Sequence, residues 1–246
     1  MKTSGNTVLI TGGSAGIGLA IAKLLTANNN KVIITGRNPE KLARAAKELP
    51  GVTTIVSDVT NGNDVARLVH TLKKDFPALN ILINNAGKAY AYQLSDTANA
   101  ADKATDEMVT NYFAVIRLTE QLLPLLQQQP EAAIVNVTSI VAFAPSAGIS
   151  TYAASKAALR SYTLSLRHSI APLRVFELMP PLVNTEFSED IGGAHGIPPQ
   201  QVASEFLTAL GKDEFEIRVG DTEQIYQLSL SSPAAAFAAM NQERTA

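Results

Sequence analysis

A tyrosine and a lysine four residues apart are the first residues in this sequence that could do chemistry together. Tyr152 and Lys156 lie in an alanine-rich run that predicts a helix, and positions i and i+4 share one face of a helix. A free tyrosine has a pKa of about 10, too high for an efficient acid or base near neutrality, but a nearby ammonium favours the phenolate and lowers this pKa. The pair could therefore donate and accept a proton. The same spacing also occurs by chance, as a core tyrosine beside a solvated lysine.

The composition limits what kind of protein could hold this pair. The 246 residues are 46% hydrophobic and 17% charged, with a net charge of -2, which suits one large α/β domain or two small ones. Lysine and arginine are scattered without a basic stripe, so we expect no nucleic-acid partner. The chain has no cysteine, which excludes disulfides and thiolate metal sites and fits a reducing compartment. No signal peptide or membrane-spanning run is evident, so we expect a cytoplasmic protein without a membrane partner.

Short apolar runs alternate with helical patterns along the chain. The runs predict strands at residues 7–11, 31–35, 52–56, 80–83, 132–137, 174–179 and 215–219. Helices are predicted after residue 18 and at residues 39–49, 63–75, 102–128, 151–169, 200–210 and, in the alanine-rich tail, 234–240; Pro124 should bend the longest. This alternation predicts a single α/β domain over residues 1–246. Its doubly wound parallel sheet of about seven strands would have helices on both faces, as in a Rossmann fold, with ligands beyond the carboxyl ends of the strands.

A glycine-rich segment, Thr11-Gly12-Gly13-Ser14-Ala15-Gly16-Ile17-Gly18, separates the first predicted strand from the first helix. Gly12 permits a tight turn, Gly16 a close backbone approach and Gly18 the packing of the helix on the sheet. The helix N-terminus then offers free N–H groups and a positive dipole end to a pyrophosphate. Such a loop alone could be only a turn, but after the first strand of this fold it predicts a dinucleotide held also by Ser14 and Ile17.

The glycine spacing, together with Tyr152 and Lys156, resembles the short-chain dehydrogenase/reductase family. The resemblance covers most of the chain. It continues through Asp58-Val59 after the third strand, Asn84-Asn85-Ala86-Gly87 after the fourth, Asn111 in the long helix, Ser139 thirteen residues before Tyr152, and Pro180-Pro181-Leu182-Val183-Asn184-Thr185 after the sixth strand.

The resemblance assigns cofactor contacts to several of these segments. Asp58 and Val59 would contact the adenine, although Asp58 could instead cap the next helix. Asn85, Ala86 and Gly87 would shape the backbone under the cofactor. The nicotinamide end would meet Pro180, Val183 and Thr185. Pro181 stands where the family usually has glycine, and because proline fixes φ and lacks an N–H, this loop could be stiffer or displaced.

The resemblance also implies a reaction, a hydride transfer between a nicotinamide and a carbon that bears oxygen. Tyr152 would be the general acid and base, and Lys156 would lower its pKa and bind the nicotinamide ribose. Ser139 would polarise the substrate oxygen, and Asn111 would hold a water that relays protons towards Lys156. Without this context, Asn111 could satisfy a backbone group and Ser139 could simply end a strand.

The end of the second predicted strand bears on the choice of cofactor. An acid there would bind the ribose 2′-hydroxyl and favour NAD, but this chain has Gly36 followed by Arg37. Arg37 could grip a 2′-phosphate through charge-assisted hydrogen bonds, which favours NADP. The loop residues Ser14 and Ala15 differ from many NADP-using relatives, which carry a basic residue there, so NAD remains possible.

The sequence says least about the substrate. Residues 88–100 and 186–200 flank the expected cleft, and the second segment contains Gly192-Gly193, so we expect it to be a substrate lid. His195 in this segment fits a solvated loop histidine better than a substrate contact. The three histidines are scattered, which predicts no catalytic metal.

We therefore expect an NADP-dependent oxidoreductase that acts on a small carbonyl or secondary alcohol. One alternative is a dinucleotide-binding sensor without turnover, which should have lost Tyr152 or Lys156. Another is an epimerase or dehydratase of the wider superfamily, whose chains are usually longer and whose glycine spacing differs. By resemblance, the chain should form a homodimer or homotetramer on the helices predicted at residues 102–128 and 151–169.

Overall fold

Seven parallel strands form one sheet at the centre of the protein, in the order β3-β2-β1-β4-β5-β6-β7. The computed structural model describes residues 1–242. The strands are β1 (Thr7–Thr11), β2 (Lys31–Gly36), β3 (Thr53–Val56), β4 (Leu79–Asn84), β5 (Ala133–Val137), β6 (Arg174–Met179) and β7 (Glu216–Arg218). The predicted single-domain, doubly wound parallel sheet is confirmed.

Helices connect the strands and pack on both faces of the sheet. They are α1 (Gly16–Ala27), α2 (Pro39–Glu48), α3 (Gly62–Asp75), α4 (Ala100–Met108), α5 (Ala114–Leu126), α6 (Ser150–Ser169), α7 (Pro199–Lys212), α8 (Thr222–Ser231) and α9 (Pro233–Asn241). Short 3-10 turns occur at Ile140–Ala142, Ala147–Ile149, Glu186–Ile191 and Gly193–His195. Within residues 1–242, no helix combines the length and apolarity that crossing a bilayer would require.

Two apolar layers explain why the strands read as continuous hydrophobic runs. Successive side chains of a strand point to opposite faces, so Ile10 of β1 packs with Leu25 of α1 and Phe206 of α7 on one face. Leu9 packs on the other face with Leu68 of α3 and the helices α5 and α6. Both faces of the strand are therefore buried, as parallel sheets require.

The longest predicted helix is interrupted at a position without glycine or proline. A π-helical turn, Val109–Phe113, joins α4 to α5 and contains Asn111, whereas Pro124 lies inside the last turn of α5. Pro124 lacks the N–H that would donate to the carbonyl of residue 120, yet α5 continues through it to Leu126. A π turn inserts one residue into a helix and has no composition signal, which is why the pattern predicted an uninterrupted helix there.

Other elements differ at their ends. Helix α1 begins at Gly16 and not after Gly18, because Ala15 is the extended residue before the helix, with a φ of -157°. The alanine-rich segment is helical as predicted and forms α9, but α8 before it was not predicted. The segment 186–200 folds as two 3-10 turns and the start of α7.

The cleft lies where the strand order of the sheet reverses. Strand β1 lies between β2 and β4, so the glycine-rich loop after β1 and the segment after β4 emerge side by side. Ligands of open α/β sheets bind in this crevice. The segments after β5 and β6 leave the same edge of the sheet.

Candidate active site

A cleft of about 470 Å³ lies along the carboxyl ends of the strands. Its lining includes most of the residues predicted to bind a dinucleotide: Gly12, Ser14, Gly16, Ile17, Arg37, Asp58, Val59, Asn85, Ala86, Gly87, Tyr152, Lys156, Pro180 and Thr185. Two predicted residues, Gly18 and Val183, are absent from this lining. Val183 instead lines a neighbouring cavity and pairs with Ile197 in an isolated β-bridge.

Close backbone packing explains the glycines of the loop after β1. Gly12 has a φ of 65°, and a Cβ there would lie 3.0 Å from the Cα of Ala86. At Gly18 a Cβ would come within 2.5 Å of the Asn85 amide nitrogen. Gly18 is thus a packing residue beneath the cleft, as the sequence predicted for the helix contact.

Side chains under the loop fix its shape. Asn85 Nδ2 donates to the carbonyl oxygens of Thr11 and Gly12, at 2.9 and 3.1 Å. Thr11 Oγ1 accepts from the backbone N–H groups of Asn85 and Ala86, at 3.0 and 3.1 Å. These bonds join the segments after β1 and β4 into one surface beneath the cleft. A dinucleotide fits here because α1 begins in the cleft with free N–H groups, and because glycine at position 12 leaves space that a larger residue would fill.

The end of the cleft that was predicted to hold the adenine is formed after β3. Asp58 Oδ1 accepts from the backbone N–H and the hydroxyl of Thr60, at 2.8 and 2.7 Å. Helix α3 is capped by Asn61, whose side chain accepts from two backbone N–H groups. Asp58 is therefore not the cap of this helix, and it faces the cleft.

Two positively charged side chains lie near the end of β2. Arg37 is exposed and lines the cleft, and a Cβ on Gly36 would lie 3.1 Å from Ser14 Oγ. Lys41, in the first turn of α2, also lines the cleft and forms an ion pair with Glu186. Lys41 was missed from the sequence; the available signal was its place in the first turn of the helix predicted after Arg37.

Tyr152 and Lys156 lie in the first two turns of α6, on one face and both buried. Lys156 Nζ is 5.6 Å from the centroid of the Tyr152 ring and donates to the carbonyl oxygen of Val137, at 2.8 Å. The ammonium therefore lies between the phenol and the carboxyl end of β5.

Burial shifts the pKa values of this pair in opposite directions. It raises the pKa of Tyr152 well above its usual value; the Ser139 hydroxyl opposes this increase as a hydrogen-bond partner and the charge of Glu107 adds to it. Burial lowers the pKa of Lys156 to about 8. The expectation that Lys156 lowers the pKa of Tyr152 is not met in this structure, because desolvation dominates and the ammonium is bonded to Val137.

Ser139 and Asn111 occupy the two sides of the pair. Ser139 follows β5, is buried, and its Oγ accepts from the backbone N–H of Val141, at 3.3 Å. Asn111 is fully buried, and its amide donates to the Lys88 carbonyl and Ser155 Oγ and accepts from the Lys88 N–H, each at 2.8 Å. The Asn111 side chain thus ties the segment after β4 to α6, and the proton relay through a water at this residue stays a prediction.

A second cavity of about 420 Å³ opens beside Tyr152. It shares Ile17, Tyr152, Pro180, Thr185 and Phe187 with the cleft. The rest of its wall is mostly apolar and includes Ile140, Val141, Ile149, Pro181, Leu182, Val183, Ile191 and Met240. Asp190 and His195 also line it, so His195, read from the sequence as a solvated loop residue, is exposed but lies at this cavity.

Several residues of the second cavity carried no sequence signal. Phe187 packs on Tyr152 with ring centroids 6.0 Å apart, and Met240 reaches the cavity from α9. Both come from segments without a functional motif. Pro181, which replaces the usual glycine, lies in the cavity wall near Gly220. Within residues 1–242, no cluster of three metal-ligating side chains occurs.

Comparisons with known proteins agree with this geometry. The model of the short chain dehydrogenase family matches residues 6–195, and the chain belongs to the short-chain dehydrogenase/reductase family of oxidoreductases, which use NAD or NADP. It is 40% identical over 224 residues to the uncharacterized oxidoreductase DltE of Bacillus subtilis, covering 88% of this chain and 89% of that one. It is 30% identical to dehydrogenase/reductase SDR family member 7B of Bos taurus, over 87% and 73% of the two chains.

Solved structures give the same fold. A short chain dehydrogenase from Burkholderia cenocepacia in complex with NADP superposes with a TM-score of 0.86 at 28% identity, over 98% of this chain and 100% of that one. A short chain dehydrogenase/reductase from Burkholderia phymatum in complex with NAD superposes with a TM-score of 0.87 at 20% identity, over 100% and 99%. Because the two relatives were solved with different nicotinamide cofactors, their likeness leaves the choice between NADP and NAD open.

Proposed function

We propose that the protein is an NADP-preferring carbonyl reductase and alcohol dehydrogenase in which Tyr152 is the general acid and base. The observation that carries the proposal is the place of Tyr152, which lines both the dinucleotide cleft and the apolar cavity. Ser139 lines the cavity beside it. A carbonyl group in that cavity would meet two hydroxyl groups at the boundary with the cofactor.

The mechanism follows from these positions. The nicotinamide supplies or accepts the hydride when it is bound. Ser139 donates a hydrogen bond to the substrate oxygen, where negative charge develops during reduction. Tyr152 gives that oxygen its proton in reduction and removes the proton in oxidation.

Lys156 has a double role in this proposal. Its ammonium is buried and its pKa is lowered to about 8, so the charged form that it keeps near neutrality is destabilised by desolvation. By the family resemblance, it binds the nicotinamide ribose. Asn111 holds the adjoining backbone in place, and a water bound at the π turn would pass protons towards Lys156.

The preference for NADP is supported by the charges at the end of β2. Arg37 and Lys41 both line this part of the cleft, and Gly36 stands where an acid would accept hydrogen bonds from a ribose 2′-hydroxyl. Arg37 would complement a 2′-phosphate, and Lys41 could join it by exchanging its ion pair with Glu186. NAD is the alternative cofactor.

The cavity wall indicates the class of substrate. Among the described residues, neither lysine nor arginine lines the cavity, so apart from His195 nothing there could neutralise a carboxylate or phosphate on a substrate. The apolar lining instead suits a small uncharged ketone, aldehyde or secondary alcohol.

The segment 186–200 would act as the lid, with Phe187 over Tyr152. The absence of cysteine supports a cytoplasmic location.

The test is an NADPH-oxidation assay over matched neutral and carboxylated carbonyl compounds, with the wild type and Tyr152→Phe. We expect turnover of neutral apolar carbonyls and a loss of about a hundredfold or more in kcat for Tyr152→Phe. Cofactor binding without turnover across the panel would favour the sensor. Undiminished kcat in Tyr152→Phe would exclude Tyr152 as the acid.

A further inference from the structure

A buried carboxyl group lies behind the proposed catalytic tyrosine. Glu107 of α4 is completely buried, and its Oε1 accepts from the backbone N–H of Tyr90, at 2.8 Å. Among the described residues, its Oε2 has no hydrogen-bond partner. A buried carboxyl with a free oxygen is costly, so a structural reason or a function must retain it.

The nearby cations do not neutralise this carboxyl by direct contact. Lys88 forms an ion pair with Asp106, the residue next to Glu107, and Tyr90 Oη also donates to Asp106, at 2.6 Å. Lys103 lies over the ring of Tyr92, with Nζ 4.6 Å from its centroid. Lys88 and Lys103 therefore each interact with a side chain other than Glu107.

The carboxyl also faces the first turn of α6. Thr151 lies close enough to oppose the increase in the pKa of Glu107, and Tyr92 Oη donates to Thr151 Oγ1, at 3.1 Å. Tyr152 follows Thr151 directly, and Lys156 is the other titratable group on this side of α6. Glu107 therefore joins α4 and the segment 88–92 to the turn that carries the phenol.

We propose that Glu107 is a positioning residue for Tyr152: through the Tyr90 N–H, its buried carboxyl holds the segment 88–92 against the first turn of α6. This inference rests on the proposed role of Tyr152 as the acid. It assigns a task to a residue that touches neither the cleft nor the cavity.

The electrostatics give the coupling a direction. Burial raises the pKa of Glu107, and the negative charge of its ionised form raises the pKa of Tyr152. The carboxyl ionises at lower pH than the phenol, so its charge is already present when the phenol titrates. The negative charge of Glu107 therefore shifts the ionisation of the Tyr152 phenol to higher pH.

The variant Glu107→Gln tests this coupling, because it keeps the shape and removes the charge. Oxidation of an alcohol needs the phenolate, so its rate rises with pH. In Glu107→Gln we expect that rise to move to lower pH by about half to one unit. The exposed residue Asp102 on the same helix provides the control, and Asp102→Asn should leave the profile in place.

A second variant separates position from charge. Glu107→Ala removes the charge and also the bond to the Tyr90 N–H, and Ala91 of the same segment lines the cavity. It should shift the profile in the same direction and also raise KM for the substrate. A profile that coincides with the wild type in both variants overturns the proposal.

A measurement without turnover keeps the two proposals distinguishable. The chain has no tryptophan, so tyrosinate absorbance can be followed without an indole background, and subtracting the Tyr152→Phe titration isolates Tyr152. Its midpoint should be lower in Glu107→Gln, and equal midpoints would refute the coupling. If Tyr152→Phe retains turnover, the proposed reaction fails while this titration still decides the role of Glu107. If Glu107→Gln does not fold, Glu107→Asp, which keeps the charge but withdraws the carboxyl from the Tyr90 N–H, should raise KM for the substrate; a KM equal to that of the wild type would contradict the proposal.

Discussion

Arg37 and Lys156 are two cations of the same cleft whose surroundings differ completely. Arg37 is exposed at the end of β2, where water hydrates its charge until a phosphate arrives. Lys156 is buried in α6 and bonded to one carbonyl oxygen, so its charge costs stability whether or not a ligand is bound. These environments lead to different predictions.

Replacing Arg37 by alanine should weaken the preference for NADPH. We expect kcat/KM for NADPH to fall about tenfold to a hundredfold, since hydrogen bonds to a charged phosphate are lost. The value for NADH should change little, because NADH has no 2′-phosphate. Steady-state kinetics with both cofactors measures the ratio, and Lys47→Ala at the far end of α2 is the control. An unchanged ratio would count against the NADP assignment.

Replacing Lys156 by methionine should abolish activity without a loss of stability near neutrality. The pKa of Lys156 is about 8 in the folded protein against 10.5 ordinarily. The unfolded chain therefore binds more protons between these values, and this residue's contribution to the unfolding free energy rises with pH there. Relative to Lys156→Met, the wild type should gain on the order of 3 kcal/mol from pH 8 to 10.5. Urea unfolding across that range tests it; a constant difference between the proteins would contradict it.

At the scale of elements, an ion pair joins β6 to α6 behind the active site. Glu177 in the middle of β6 is fully buried, and Arg160 Nη1 donates to its Oε2, at 2.7 Å. Thr138 Oγ1 donates to its Oε1, also at 2.7 Å. The Arg160 guanidinium lies 5.5 Å from the ring centroid of Tyr226 in α8. One pair thus connects three elements around Ser139.

Breaking this pair from one side should be more harmful than removing it. Arg160→Met leaves the Glu177 carboxyl buried without its cation and should destabilise the protein by about 3 to 5 kcal/mol. The double variant Arg160→Met, Glu177→Gln should lose clearly less, because no uncompensated charge remains. Chemical denaturation of the two single variants and the double variant gives the cycle. Additive losses would mean that the pair contributes little.

The sequence predicted those elements whose signals are local and periodic. Both faces of the sheet are buried, so the sequences of β1, β2 and β6 are apolar runs. The glycine-rich loop is recognisable because its positive φ angles and close packing require glycine. The π turn at Asn111 and the positions of Phe187 and Met240 depend on tertiary packing. Glu107 looks like any helical glutamate, because its burial is created by the segment 88–92 and α6.

For the whole molecule, the helices around the π turn present an apolar surface. Phe113 is 50% exposed and Leu164 of α6 is 39% exposed, and the rings of Tyr112 and Tyr162 meet edge to face between these helices, with centroids 6.1 Å apart. The surface belongs to the helices on which the family resemblance predicts self-association. Homodimer or homotetramer formation stays a prediction.

Charged substitutions on this surface test it. Light scattering of the wild type should give a multiple of the 26.1 kDa chain mass, and the double variant Phe113→Asp, Leu164→Asp should shift it towards a single chain. Leu94→Asp, at a residue that is 81% exposed elsewhere, should leave the mass unchanged. A wild type that scatters as one chain would refute self-association.

The wall shared by the cleft and the cavity has a kinetic consequence. Ile17, Thr185 and Phe187 belong to both, so a seated nucleotide would complete the surface that a carbonyl compound touches. Catalysis should then follow a compulsory sequence, nucleotide first and alcohol released before the oxidised nucleotide. Dead-end inhibition can reveal it: an unreactive carbonyl mimic should be uncompetitive against NADPH. A noncompetitive pattern would indicate random entry, and a competitive pattern would mean that the mimic binds the free enzyme in place of NADPH.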